Sequence, residues 1–180
     1  MIDTIIDSAQ GLPIGNYTSQ WFANFALERL DHFINQDLKV PYYMRYVDDL
    51  VLLGPNKKKL HKARLEIGRQ LAKLGLCIKD NWQVFLVNSR SIDFLGYRFY
   101  RNKTTLRRRN ALRIRRRFAK IGKRGYLSLK DAQAVVSYWG WMKHCDSYKF
   151  YNKYCKPYAS IGKAKGVIRK HAKLRNYRKR

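Results

Sequence analysis

Two adjacent aspartates set between apolar runs constrain the fold of this chain more than any other feature. Residues 42–46 and 50–53 are rich in aromatic and aliphatic side chains, and Asp48 and Asp49 stand between them. Strands disfavour aspartate and turns accept it, so the pattern predicts a β-hairpin with the acidic pair at its tip. Because the flanking runs are apolar, we expect both strands to be largely buried.

The acidic pair has two interpretations. Adjacent carboxylates repel each other, and a divalent cation relieves that repulsion; Mg²⁺ prefers such hard oxygen ligands. Phosphoryl transfer to a nucleotide uses Mg²⁺ to activate the attacking 3′-hydroxyl and to stabilise the leaving pyrophosphate. The alternative is an ordinary turn, where paired aspartates are common. The apolar flanks favour the metal interpretation, because an ordinary polar turn would not place two charges between buried strands.

Charge is divided unevenly along the 180 residues, which carry +27 in total. Residues 1–100 hold 13 basic and 10 acidic side chains, whereas residues 101–180 hold 26 basic and 2 acidic ones. Such a field favours a polyanionic partner, and we expect nucleic acid, with a membrane surface as the weaker alternative. No apolar run is long enough to cross a bilayer, and the N-terminus lacks a signal-peptide pattern.

The cysteines indicate a reducing compartment. Cys77, Cys145 and Cys155 are odd in number and widely spaced, with no CxxC pair, which fits reduced thiols in a cytoplasmic protein. His144, Cys145 and Cys155 lie close enough in sequence to suggest a metal site. Paired ligands with zinc-type spacing are lacking, however, so packed or exposed thiols are the favoured interpretation.

The first hundred residues predict a mixture of helices and strands. Residues 11–16 form a loop rich in Gly, Pro and Asn, and a helix follows from about Thr18 to near Asn35. Asn56 is a candidate N-cap for a second helix that runs to about Leu74 and ends at Gly75. Residues 76–79 and 83–87 read as short strands, and residues 92–100 as one further strand. The apolar faces of the two helices consist of Phe22, Phe25, Ala26, Leu30 and Phe33, and of Leu60, Ala63, Ile67 and Leu71.

Two positions beyond residue 90 have specific expectations. Gly96, in the middle of its strand, indicates a bend or a close backbone approach. Helices are expected near residues 108–121, 128–143 and 147–158, with Ser128 as the N-cap of the second. From about Lys163 the Lys/Arg-rich tail is expected to be frayed or disordered until it binds a partner.

Four segments together resemble the reverse transcriptases. The run Tyr46-Val47-Asp48-Asp49 resembles the YxDD signature of the palm subdomain, and residues 10–20 resemble the segment that precedes the palm helix and lines the nucleotide and template site. Phe94-Leu95-Gly96-Tyr97 resembles the primer grip, and the basic helical region after it resembles the thumb. The likeness runs from about Gln10 to about Tyr158.

The resemblance implies an α+β fold and a division of the chain. Residues 1–100 would form a partial palm, a small antiparallel sheet packed on helices. Residues 101–160 would form a basic helical thumb, and residues 161–180 a flexible basic tail. The activity implied is that of an RNA-directed DNA polymerase, with an RNA template, a DNA primer and dNTPs.

The same resemblance implies roles for the palm residues. Asp48 would bind catalytic Mg²⁺ with the help of Asp49, in a site for two Mg²⁺ ions with Mn²⁺ as a substitute. Tyr46 would pack beneath the hairpin near the primer end; a plain strand aromatic is the alternative. Lys79 falls where the family often has a lysine near the leaving pyrophosphate, and a general acid is one interpretation and a solvated lysine the favoured one. The loop set Gly15, Asn16, Ser19 and Gln20 would adjoin the nucleotide or templating base, and Ser19 could equally be a helix cap.

Primer and backbone contacts are implied for a second group of residues. The primer-grip set would hold the primer by backbone approach, although Phe94 and Leu95 could simply be core. The arginines that follow are too dense for a solvated face with few acidic neighbours, so phosphate contact is the natural interpretation. These arginines are Arg107, Arg108, Arg109, Arg113, Arg115, Arg116 and Arg117.

The subtype and the completeness of the enzyme follow from finer comparison. Residues 14–20 carry Ser19-Gln20 where most reverse transcriptases have Ser-Pro, and this form is similar to that of diversity-generating retroelements, which work with a small basic accessory protein. A palm needs a further metal-binding aspartate upstream of the Gly-rich loop, and Asp3 and Asp7 lie too close to that loop. We therefore expect little or no polymerase activity from this chain alone. The alternative is a non-catalytic RNA-binding palm–thumb protein, similar to intron maturases in their RNA-folding role.

Overall fold

The fold is α+β, with two small antiparallel sheets and a larger number of helices. The computed structural model describes residues 17–177, and the chain divides into two compact units between Phe85 and Leu86. The predicted fold class is confirmed. Among the described residues no helix is both long and apolar enough to cross a membrane.

The first unit opens with a helical stretch in three pieces. Helix α1 covers Tyr17–Ala26 and helix α2 covers Glu28–His32, and a π-helical turn follows over Phe33–Asp37. The wide turn arises because the Leu38 amide donates to the Phe33 carbonyl five residues back, at 3.0 Å. The predicted helix is confirmed and ends slightly later than expected.

The apolar face predicted for this stretch is largely wrong. Phe25 is 73% exposed, and the buried positions are Ser19, Leu30 and Ile34. Ala23 and Leu27 are half-buried and lie between them at four-residue spacing, so the packed stripe lies one position away from the aromatic one.

The hairpin and one long helix complete this unit. Strands β1 (Tyr42–Tyr46) and β2 (Asp49–Leu53) pair antiparallel, and helix α3 covers Lys57–Ala72. The Asn56 side chain accepts a hydrogen bond from the Lys59 amide at 3.2 Å, which confirms the predicted N-cap. The core combines Leu30, Ile34, Ile67 and Leu71.

The strands predicted at 76–79 and 83–87 are absent. The structure has irregular backbone there, with a turn in which the Trp82 amide donates to the Lys79 carbonyl at 3.3 Å. β-propensity alone does not make a strand without a neighbour to pair with. In the described chain, the β1–β2 sheet has two strands and includes neither segment.

The second unit begins with a three-stranded meander. Strands β3 (Ile92–Phe94), β4 (Tyr97–Phe99) and β5 (Thr104–Leu106) pair in sequence order. The predicted single strand over 92–100 is therefore wrong, because Leu95 and Gly96 form a two-residue turn with φ of 50° and 82°. Positive φ at both positions is characteristic of a type I′ hairpin, so the bend expected at Gly96 is confirmed.

Four helices form the rest of this unit. Helix α4 covers Arg108–Arg124, α5 Leu129–Met142, α6 Tyr148–Tyr154 and α7 Ile161–Tyr177. The Ser128 hydroxyl accepts from the Asp131 amide at 3.2 Å, so the predicted N-cap of α5 is confirmed. Members of the core include Ile114, Phe118, Val135 and Met142.

The C-terminal segment differs from the expected frayed tail. Ala164 in α7 is fully buried, and Val167 and Ile168 pack against the core of the unit. These positions recur at spacings of three and four inside a basic run, so one side of α7 is apolar while its exposed side carries lysine and arginine.

Candidate active site

The acidic pair lies at the end of the β1–β2 hairpin, as predicted. Tyr46 pairs with Asp49, which leaves Val47 and Asp48 as a two-residue loop. Val47 has φ of 54°, and a positive φ at the first loop position belongs to the type II′ turn, where glycine is usual. Asp48 is therefore in the loop itself, and Asp49 begins the return strand.

The hairpin strands are less buried than expected. Tyr43, Leu50 and Leu52 pack against the core of the first unit, whereas Tyr42 and Tyr46 are 69% and 57% exposed. A two-stranded sheet alternates its side chains between two faces, and in the described chain only one face meets the helices. The expectation of largely buried strands is thus wrong, because no strand residue is fully buried and Tyr42, Met44, Tyr46 and Asp49 are exposed. Tyr46 lies on the open face, across from Asp49.

Lys79 is the closest charged partner of the acidic loop. Its Nζ donates to Oδ2 of Asp48 at 2.9 Å, and both side chains are largely exposed. The hydrogen bond from Lys79 lowers the pKa of Asp48, and the same bond raises the pKa of Lys79, with a further contribution from the charge of Asp49. Asp48 is therefore ionised over the whole neutral range. Lys79 was singled out from sequence, and the structure places it beside the acidic pair.

An arginine on the inner side of β1 joins the hairpin to the first helices. Arg45 Nε donates to Oδ1 of Asp31 at 2.8 Å, and Nη1 donates to Oδ1 of Asn24 at 3.0 Å and to the Val47 carbonyl at 3.2 Å. The Tyr43 hydroxyl also donates to Asp31. Burial by itself would raise the pKa of Asp31, but the hydrogen bonds from Arg45 and Tyr43 outweigh it and leave that pKa lowered.

Sequence reasoning missed Arg45 and Asp31. The available signal was the position of Arg45 in the strand. Arg45 lies two residues after Tyr43 and so shares its inward side of a half-buried strand, where a charge needs a partner. Asp31 is the acidic residue next to the buried Leu30. An inward arginine and an acidic residue beside an apolar stripe together indicate a pair.

The Gly-rich loop is described only at its end. Gly15 and Asn16 lie outside the described residues, whereas Ser19 and Gln20 are in the first turn of α1. Ser19 is buried and Gln20 is exposed. Of this pair, Gln20 is the residue open to a ligand.

The segment resembling the primer grip forms the β3–β4 turn. A Cβ at Gly96 would lie 2.7 Å from Nδ2 of Asn110, so the close approach that this glycine permits is to α4. Phe94 is buried and Leu95 is 46% exposed. The Tyr97 hydroxyl donates to the Trp141 carbonyl at 3.1 Å.

The predicted arginine cluster divides into paired and open members. Arg107 Nε lies 2.9 Å from Asp93, and Arg117 Nε lies 2.8 Å from the buried Asp131, so the expectation of too few acidic partners is wrong for these two. Arg115 lies over the Tyr154 ring at 4.9 Å. Arg115 also has no ion pair with an acidic residue in the described part of the chain, and the same holds for the other exposed members, Arg108, Arg109, Arg113 and Arg116.

The donor set of the hairpin suits a hard divalent cation. Asp48 and Asp49 offer adjacent carboxylates at an exposed turn, and oxygen donors of this kind are what Mg²⁺ takes. Within residues 17–177 no group of three or more His, Cys, Asp or Glu side chains converges. That finding also covers His144, Cys145 and Cys155; the Cys155 thiol instead contacts the Met142 sulfur at 3.9 Å.

Comparison with known families shows which protein family contains this chain. A model of the family described as reverse transcriptase (RNA-dependent DNA polymerase) matches residues 6–99, more than half of the 180 residues, and that span includes the loop, the hairpin and Lys79. The chain belongs to the reverse transcriptase family. A search of curated proteins finds no match. Membership in the reverse transcriptase family implies a nucleic-acid template and primer, dNTP substrates and a requirement for divalent metal.

Proposed function

We propose that the β1–β2 hairpin is the catalytic centre of an RNA-directed DNA polymerase that adds dNTPs to a primer 3′-hydroxyl on an RNA template. One observation carries the proposal: within the span that matches the family, Asp48 and Asp49 stand together at the exposed tip of the hairpin. The expected metal is Mg²⁺ as two ions, with Mn²⁺ as a substitute. When bound, the metal activates the attacking hydroxyl and stabilises the leaving pyrophosphate.

The residues of this chain would hold and orient the reactants. Asp48 and Asp49 supply anionic oxygens, and the low pKa of Asp48 keeps its carboxylate available as a ligand at neutral pH. Tyr46 lies across the sheet from Asp49 on the open face, where an aromatic ring can support the primer end. Gly15, Asn16, Ser19 and Gln20 are proposed to border the nucleotide and template. The β3–β4 turn is proposed as the primer grip.

Two carboxylates are too few for two Mg²⁺ ions. A hexacoordinate site takes several oxygen ligands, and in two-metal polymerases a further carboxylate normally joins the pair. Within the described residues no third acidic side chain converges on the hairpin. We propose that a further ligand from outside the described residues completes the centre, and that the 180-residue chain extends primers weakly when it acts alone.

The exposed face of α4 is proposed to bind the nucleic-acid backbone. Arg109, Arg113 and Arg116 follow one another at spacings of four and three, and Lys120 and Lys123 continue the same line. Cations aligned in this way contact phosphates without reading sequence. This face fits a thumb that tracks the primer–template duplex.

The subtype is proposed from the loop. Residues 14–20, with Ser19-Gln20, are similar to the form found in diversity-generating retroelements. The proposal implies an RNA template copied with errors at adenines and a small basic accessory protein as partner.

A second candidate function is RNA binding without polymerisation. The observation that favours it is the ion pair between Lys79 and Asp48, which neutralises one of the two carboxylates within the protein itself. A pure RNA binder gains nothing from two carboxylates facing phosphates, however, so the polymerase proposal remains the better supported.

Primer extension separates the two functions. The 180-residue chain is tested with a primed RNA template, dNTPs and Mg²⁺, beside the Asp48→Ala/Asp49→Ala variant. The polymerase proposal predicts extension by the unchanged chain, however weak, and none by the variant. RNA binding of equal strength by both, without extension by either, would establish the second candidate.

A further inference from the structure

The loop that carries Asp48 holds a side chain in an unfavourable backbone conformation. Val47 has φ of 54°, and a β-branched residue at positive φ is an energetically unfavourable outlier. Glycine would adopt the same turn without that cost. Such strain persists only where the surrounding structure holds the backbone in place.

One side chain reaches the strained residue from the packed side of the hairpin. Arg45 Nη1 donates to the Val47 carbonyl at 3.2 Å and to the Asn24 side chain at 3.0 Å. The rest of the guanidinium pairs with Asp31, whose Oδ1 accepts from Nε at 2.8 Å. The Arg45 side chain is only 12% exposed, so it cannot swing out into solvent without leaving its carboxylate unpaired.

These contacts form a continuous connection from helix to loop. Asn24 is in α1 and Asp31 in α2, so both anchors belong to elements on the helical side of the first unit. The Val47 carbonyl belongs to the peptide group that joins Val47 to Asp48. Fixing that peptide fixes the direction in which the Asp48 carboxylate leaves the loop.

We propose that Arg45 is a positioning residue that holds the strained Val47–Asp48 turn and thereby orients the two carboxylates for metal binding. The inference rests on the proposed metal-binding function of the hairpin. Only a guanidinium satisfies all of these contacts, because it presents five N–H donors in a rigid plane, whereas the three donors of a lysine radiate from one atom. Arg45→Lys therefore keeps the charge beside Asp31 and loses the simultaneous bond to the loop.

A merely structural role for Arg45 gives different expectations. If Arg45 served only to neutralise Asp31, its loss would lower the stability of the first unit and leave the loop ordered. If it positions the turn, its loss raises the mobility of the Asp48 and Asp49 amides in a protein that is still folded. Backbone ¹⁵N relaxation of the full 180-residue chain distinguishes the two outcomes.

The first experiment compares order parameters in the unchanged protein, Arg45→Lys and Arg45→Met. We expect the order parameters of the Asp48 and Asp49 amides to fall from about 0.85, the value of rigid backbone, to below about 0.6 in both variants. Arg69→Met is the matched control, since Arg69 pairs with Glu66 at 2.7 Å on the surface of α3 and makes no ion pair with the hairpin among the described residues. Unchanged order parameters in folded Arg45→Lys would overturn the proposal.

A second substitution tests whether strain is the reason that Arg45 is needed. Val47→Gly removes the penalty at positive φ, so the turn should keep its shape without help. We expect Arg45→Met to loosen the loop much less when Val47→Gly is also present. An equal loss of order in both backgrounds would show that Arg45 acts by some route other than the turn.

Metal binding is read separately, so the two proposals can fail independently. Mn²⁺ alone is titrated into each protein, and broadening of the Asp48 and Asp49 signals gives its affinity. We expect at least a tenfold weaker affinity in Arg45→Met than in Arg69→Met. A loosened loop with unchanged Mn²⁺ affinity would overturn the orienting role. Absence of Mn²⁺ binding in the unchanged protein would contradict the hairpin's proposed function, while the relaxation data would still decide whether Arg45 holds the turn.

Discussion

The ammonium group of Lys79 lies 2.9 Å from Oδ2 of Asp48, so one carboxylate of the acidic pair already has a cationic partner. Both side chains are largely exposed, and ion pairs of this kind contribute little to stability. The consequence of the pair is therefore expected in metal binding, because a cation already occupies one of the two ligands.

Removal of that cation should tighten metal binding. In Lys79→Met, Mn²⁺ no longer competes with an ammonium group and no longer meets a like charge, so we expect its dissociation constant to fall several-fold. Lys58→Met removes the same charge from the exposed first turn of α3 and serves as the control. Titration followed by electron paramagnetic resonance measures both affinities. Equal affinities in the two variants would show that Lys79 does not compete with Mn²⁺ for the acidic pair.

Substitution of two neighbouring arginines of α4 should affect different properties of the protein. Arg116 is exposed and has no acidic partner among the described residues, whereas Arg117 pairs with Asp131. Arg116→Gln should weaken binding to a primer–template duplex and reduce the slope of log K against log salt by about 0.9, the value for one lost phosphate contact. Arg117→Gln should mainly lower the unfolding midpoint. Filter binding across a salt series and thermal unfolding measure the two effects, and a reversed assignment would contradict the division of the cluster.

Gly96 should tolerate substitution less well than Gly125. Both glycines have positive φ, at 82° and 72°, so alanine strains either backbone by on the order of 1 kcal/mol. A Cβ at Gly96 also meets Nδ2 of Asn110, which donates to the Gly96 carbonyl at 3.1 Å, while a Cβ at Gly125 meets nothing within 4 Å. Denaturant unfolding should show that Gly96→Ala is the more destabilising by roughly 1–2 kcal/mol. Equal losses would mean that Asn110 moves aside freely.

The buried carboxylate of Asp131 should make stability depend on pH. Burial alone would raise its pKa, but hydrogen bonds from Ser128 and Arg124 and the charge of Arg117 outweigh burial, so the pKa lies below the usual 3.8. A lowered folded-state pKa adds stability that is complete above pH 3.8 and is lost as pH falls through the folded value. We expect Asp131→Asn to lower the unfolding midpoint at pH 7, with roughly 2–4 kcal/mol lost because two half-buried arginines lose their partner.

The difference between the unchanged protein and Asp131→Asn should then shrink below pH 3.8. Thermal unfolding of both proteins from pH 7 down to pH 3 measures this difference. A gap that stays constant over that range would show that Asp131 keeps the same proton occupancy on folding, contrary to the geometry of its arginine partners.

Local sequence signals were sufficient to predict the helix caps and the hairpin. Asn56 and Ser128 cap helices as expected, because a short polar side chain before an apolar periodic run satisfies free amides at the helix start. The hairpin followed from Asp48 and Asp49 between two apolar runs. In each case the stabilising contact lies within a few residues along the chain.

Features that depend on contacts between distant residues could not be predicted from the sequence. Phe25 looked like core and is exposed, because hydrophobicity does not say which side of α1 faces the rest of the first unit. Ala164 lies within a basic run, and it is buried because α7 packs on the core of the second unit, a tertiary contact that the sequence does not reveal. The contacts of Arg45 with Asp31, 14 residues away, likewise depend on tertiary placement and have no local signature.

The most direct test of the account is where Mn²⁺ binds. Paramagnetic broadening of backbone amides in the 180-residue protein should centre on Val47, Asp48 and Asp49 and should disappear in Asp48→Asn/Asp49→Asn. That result would establish the hairpin as the metal site that the proposed polymerase chemistry needs. Broadening that persists in the double variant, or that centres on another part of the chain, would contradict it.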